Sequence, residues 1–95
     1  MKHYVLLKFN ENADLDQIEK TVRDTYVSLD RELDFLHDPK VYRNTVDRDS
    51  NADIMAVIRL DSPEFLQSYL THPLHLKMAE DLKNEVAARI SFDHE

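Results

Sequence analysis

The 95-residue chain contains no glycine, no cysteine and no tryptophan. Without glycine, a phosphate-cradling loop and a dinucleotide-binding fingerprint are excluded, since both need backbone to come closer to a ligand than a Cβ allows. Turns at positive φ must then fall to Asn or Asp, which tolerate that region better than other residues. Asn10, Asn12, Asp38, Asn51 and Asp61 occupy the places where such turns are expected. The lack of cysteine removes both a disulfide framework and a thiolate zinc site. Long hydrophobic runs are missing too: the apolar stretch within His3–Phe9 is too short for a secretory core or a membrane span. The expected location is the cytoplasm.

Positive charge is scarce. Twelve Lys and Arg face nineteen Asp and Glu, for a net charge of −7, and the basic residues are scattered. Phosphate backbones would be repelled, so neither nucleic acid nor a membrane is an expected partner. The length fits one domain over residues 1–95, which should bury only about 60 to 65% of the surface exposed when unfolded. With no disulfide or metal staple, good packing and self-association are the remaining sources of stability.

The apolar pattern specifies the elements. His3–Phe9 mixes β-branched, aromatic and leucine residues and reads as a strand, apolar on both faces: His3, Val5, Leu7 and Phe9 on one, Tyr4 and Leu6 on the other. Leu15, Ile18, Val22, Tyr26, Leu29, Leu33 and Leu36 recur at spacings of three and four, the stripe of an amphipathic helix. Asp14 is its expected cap and Pro39 its expected stop, near His37-Asp38. From Leu15 to Leu36 it would run roughly 33 Å.

Val41–Val46 and Ile54–Leu60 read as the next strands, the latter again apolar on both sides. Ser62 as cap and Pro63 at the first helical position open a short helix carrying Phe65, Leu66, Tyr69 and Leu70. A third helix carries Leu74, Met78, Leu82 and Val86, and Ala88–Phe92 closes as a strand. The order strand, helix, strand, strand, helix, strand predicts an α+β, ferredoxin-like, four-stranded antiparallel sheet with the helices on one face. The other face would leave Tyr4, Leu6, Met55 and Val57 in water, an apolar patch that calls for a partner.

Chemistry concentrates in Tyr69-Leu-Thr-His-Pro-Leu-His75, which supplies a phenol and two imidazoles within a short stretch. Imidazole is the side chain whose charge changes near neutral pH. His75 can serve as a general base, with Tyr69 steadying a developing oxyanion, or it can cap the helix junction by bonding a backbone carbonyl. His72 and His75 alone leave a metal site one protein ligand short, so no metal is expected. His3, on an apolar strand face, needs a partner or water; it can line a cavity opposite His75 or bond across the sheet. Tyr4 and Tyr42 read as interface packing.

The segments Lys2–Phe9, Ala52–Ile58, Phe65–Tyr69 and His72-Pro-Leu-His75 together resemble the stress-responsive A/B barrel family (the Dabb domain), and the resemblance covers nearly the whole chain. It implies a dimeric α+β barrel, a homodimer pairing through the open sheet face, and no cofactor. Some plant members look like polyketide cyclases with a cavity between sheet and helices and an imidazole as acid/base. On that basis His75 and Tyr69 are the candidate catalytic pair, and His3, Val5, Leu7, Tyr26 and His72 the candidate ligand contacts. Val86 and Arg89 depart from the large apolar or aromatic residues of a cyclase-type pocket. The expected roles are a homodimer binding a small apolar or aromatic molecule, or a cofactor-free cyclase, isomerase or monooxygenase; a dimer with no cavity is the third possibility.

Overall fold

The computed structural model describes all residues, Met1–Glu95. Strand β1 (Lys2–Phe9) leads into helix α1 (Leu15–Glu32), strand β2 (Leu36–Arg43) and strand β3 (Ile54–Leu60). A single 3-10 turn at Pro63–Phe65 then opens helix α2 (Leu66–Leu70), followed by helix α3 (Pro73–Leu82) and strand β4 (Val86–His94). The sheet is antiparallel throughout, in the order β2-β3-β1-β4. This is the ferredoxin-like arrangement expected from the element order.

Local signals set most of the boundaries. Asp14 accepts from the Gln17 backbone N–H at the start of α1, and Ser62 accepts from Glu64 ahead of Pro63. Each satisfies a donor that the first helical turn leaves unpaired. The α1 stripe of Ile18, Val22, Tyr26 and Leu29 is buried against the sheet, and Arg43 at the end of β2 ties back to α1 through Asp16 and Glu19, each at 3.0 Å.

Several boundaries differ from the sequence reading. Helix α1 stops at Glu32, and Leu36 and His37, read as its last turn, begin β2. Leu36 is 1% exposed, so the residue that continued the helical spacing is core, but from a strand. Pro39 lies inside β2, where the register slips between His37 and Lys40; an edge strand with a bulge accommodates a residue that cannot donate to the ladder. Beside it Asp38, at φ 52°, is the one residue of the expected Asn/Asp turns with positive φ. Strand β2 ends at Arg43, leaving Val46 53% exposed in the following loop. Finally, Val86 opens β4 and is not part of the α3 stripe, and β4 runs on to His94.

The helices lie on one face of the sheet and the core fills the space between. On the opposite face Tyr4, Leu6, Met55 and Val57 are half-buried, and Tyr42, Ile90 and Phe92 are exposed. Strand register brings them side by side: Tyr4 pairs with Val57 and Phe92, and Leu6 with Met55 and Ile90. The result is one continuous apolar surface with no helix over it.

Candidate functional site

The alternation of β1 turns His3, Val5 and Leu7 toward the helices, and antiparallel pairing sets Asp93, Ser91 and Arg89 of β4 beside them in that order. Helix α1 adds Val22 and Tyr26, α2 adds Tyr69, and α3 adds His75, Met78 and Ala79. Between these elements lies a cavity of about 50 Å³. Its walls are mostly apolar, formed by Val5, Leu7, Val22, Ala56 and Met78; Tyr26, His75, Ala79 and Arg89 complete them. A space of this size holds one or a few water-sized groups.

Proline starts α3 and His72 caps it: His72 Nδ1 accepts from the Leu74 N–H at 3.1 Å. The same ring meets Glu32 through Nε2 at 3.1 Å. Since Nδ1 accepts, the neutral ring carries its proton on Nε2, the nitrogen that faces the carboxylate. His72 thus fastens α3 to the end of α1 and stands apart from the cavity, whereas three residues on His75 turns into it.

Burial disfavours the charged imidazole of His75 and pulls its pKa below 6.5 against the opposing pull of the Leu70 carbonyl; electrostatic interaction with Arg89 and with His3 adds to the lowering. The ring is neutral at pH 7. Its Nδ1 is buried without a hydrogen-bond partner. An unpaired buried polar atom at a cavity wall is an unmet demand for a hydrogen bond from whatever occupies the space.

Tyr69 is fully buried, in T-shaped packing with both His75 (centroids 4.7 Å apart) and His3 (5.6 Å). Its hydroxyl lies 2.5 Å from that of Tyr26. Burial raises both phenols above their ordinary value of 10, so both are neutral. The Tyr69 hydroxyl is thereby engaged by Tyr26, and it is Tyr26 that reaches the cavity wall. His3 pairs through Nδ1 with Asp93 at 2.5 Å, which satisfies the polar group on the apolar face and places it behind Tyr69, not on the cavity.

Of the residues expected from sequence, the structure therefore assembles Val5, Leu7, Tyr26 and His75 around one space, sets Tyr69 and His3 immediately behind it, and leaves His72 outside. The sequence reading gives Arg89 only as a departure from a cyclase-type pocket and Met78 only as part of the α3 stripe, and it names neither Asp93 nor Ala79. The alternating polar residues Arg89, Ser91 and Asp93 were visible as a pattern, but which strand they would face depends on a pairing across some eighty residues of chain. No three His, Asp or Glu side chains come together in a way that could hold a metal ion, and no helix is long and apolar enough to cross a membrane.

A model of the stress-responsive A/B barrel domain matches residues 1–95. The chain belongs to this family. No curated protein matches the sequence of this A/B barrel chain. Among solved structures it is similar to a dimeric protein of unknown function with a ferredoxin-like fold from Bacteroides fragilis NCTC 9343 (20% identity, 99% of this chain and 93% of that chain covered, TM-score 0.85). It is also similar to a dimeric ferredoxin-like protein of unknown function from Thermobifida fusca YX (21% identity, 96% and 85% covered, TM-score 0.79). A third similar structure is the hydroxynitrile lyase of Passiflora edulis (13% identity, 98% and 89% covered, TM-score 0.77). At these identities the likeness shows the fold, which by itself assigns no activity.

Proposed function

We propose that this A/B barrel protein is a single-domain cytoplasmic homodimer that takes a small apolar molecule into the space between sheet and helices, beside His75. The observation that carries the reading is the pairing of a mostly apolar cavity with a neutral imidazole whose Nδ1 lacks a partner. Apolar walls with a few convergent polar groups are the general form of a small-molecule site. The cavity is small beside the roughly 300 Å³ and more of sites for drug-sized ligands, so the occupant is small, or only its apolar end enters. Dimerisation through the uncovered sheet face is supported by the apolar surface there and by the dimeric state of the similar bacterial proteins.

Xenon tests the cavity, since it enters small dry apolar spaces. Under xenon pressure the methyl NMR signals of Val5, Leu7 and Val22 should shift, and Ala56→Val, which fills the space, should abolish the effect. Methyl signals that stay put in the parent protein would remove the basis of the reading.

A second reading rests on the same ring. A neutral His75 is competent as a general base, and the neutral phenol pair of Tyr69 and Tyr26 is a hydrogen-bond donor for a developing oxyanion, which together support a cofactor-free cyclase, isomerase or monooxygenase. Replacing His75 by Ala separates the two readings: turnover of a substrate collapses while its binding persists if the ring does chemistry, and both persist if it does not.

A further inference from the structure

Arg89 is the one formal charge on the cavity wall. The arginines at 23, 43 and 59 each meet a carboxylate. Arg31 is also without an ion pair, but it stands in the last turn of α1, where the helix dipole accommodates a cation; Arg48 lies in the exposed loop after β2. Arg89, although also exposed, differs from both in lining the cavity. The acid on the same face of β4 is Asp93, and its carboxylate is already held by His3 Nδ1 at 2.5 Å. In a chain of net charge −7, a cation kept at the edge of an apolar cavity without a counter-ion is a local inversion of the protein's field.

The inversion reaches into the site. Arg89 acts electrostatically on His75, Tyr26 and Tyr69, disfavouring further positive charge on the ring and favouring negative charge on the phenols. The Arg89 head is exposed, so it keeps its hydration until an anion arrives, and it pairs with planar carboxylates through two parallel N–H donors. Behind it the wall is apolar at Val5, Leu7 and Met78.

From this arrangement we infer that the ligand is an amphiphilic organic acid: a carboxylate held by Arg89 at the mouth, with the apolar end inward beside His75. The inference rests on the proposed ligand cavity and goes further by naming the class of molecule.

The test compares charged probes with neutral ones of like shape, benzoate against benzyl alcohol and butyrate against butanol, titrated into the full-length protein. Binding is followed by the NMR signals of the His75 ring and the Arg89 side chain. Each acid should bind about tenfold more tightly than its alcohol, the size expected of one charge-assisted contact near the surface. Arg89→Gln should bring each pair to within about twofold by weakening the acid while leaving the alcohol unchanged, and Arg89→Lys should retain part of the preference. If acid and alcohol bind the parent protein equally, or the preference survives in R89Q, the anion inference is overturned while the cavity reading stands. If none of the four probes moves the His75 signals, and xenon is excluded as well, both are overturned together. Amide spectra of R89Q should match the parent away from β4, because the exposed Arg89 side chain is in no ion pair within the chain.

Discussion

The hydroxyls of Tyr26 and Tyr69 meet at 2.5 Å across 43 positions of sequence, buried between α1 and α2. The pair joins the long helix to the segment that carries His75, and it removes two polar groups from an apolar interior by satisfying each with the other.

Replacing either tyrosine by Phe should cost about 1 to 3 kcal/mol, because the surviving hydroxyl is left buried without a partner. The double variant should cost much less than the sum, since no orphan remains. Urea unfolding of the four proteins measures this; additive losses would show that the hydroxyls do not depend on each other.

His75 should titrate below 6.5, the direction set by burial. Because the folded-state pKa is depressed, its contribution to stability is complete above pH 6.5 and is lost as the pH falls from there through the folded-state pKa, levelling off below it. The groups that face the ring are Arg89 of β4, His3 of β1 and Tyr69 of α2, and Arg89 and His3 both act in the lowering direction. A ring-proton titration gives the pKa directly. The difference in unfolding free energy between the parent and His75→Gln should shrink as pH falls through the same window; a difference that is flat or grows contradicts the assignment.

The sedimentation mass should be close to twice the 11.2 kDa of one chain. Leu6→Asp and Val57→Asp each place a charge in the middle of the uncovered face and should shift the mass toward a single chain, since an unpaired charge in an apolar interface is costly. Both variants remaining at the parent mass would mean that pairing uses another surface.

Asp38, at φ 52°, holds the left-handed turn within β2. Asp38→Gly should be nearly neutral, the loss of its exposed 3.4 Å contact with Arg59 being small. Asp38→Val should cost about 1 to 2 kcal/mol, because a β-branched side chain disfavours that region. Thermal melts distinguish the two.

The helical stripe from Ile18 to Leu29, the caps at Asp14 and Ser62 and the two-faced strands were all legible, because each is an interaction among residues a few positions apart. The errors fell where one local pattern fitted two structures. Leu33 and Leu36 continue the helical spacing, yet Leu36 is equally at home as the first inward residue of a strand, and only the docking of β2 onto β3 decides between them. Val86 kept the α3 spacing for the same reason.

For the site, the sequence by itself determined the chemical inventory: a tyrosine and two histidines around Pro73, and no cysteine or glycine to build anything else. Which histidine faces the cavity was decided by the start of α3, where the cap consumes His72 and the next turn sends His75 inward. That Tyr69 answers Tyr26, that Asp93 holds His3 and that Arg89 is left without a carboxylate were decided only by tertiary structure. Side chains from β1, α1, α3 and β4 converge through strand register and helix packing, and those depend on the free energy of burying the whole core, not on any spacing along the chain.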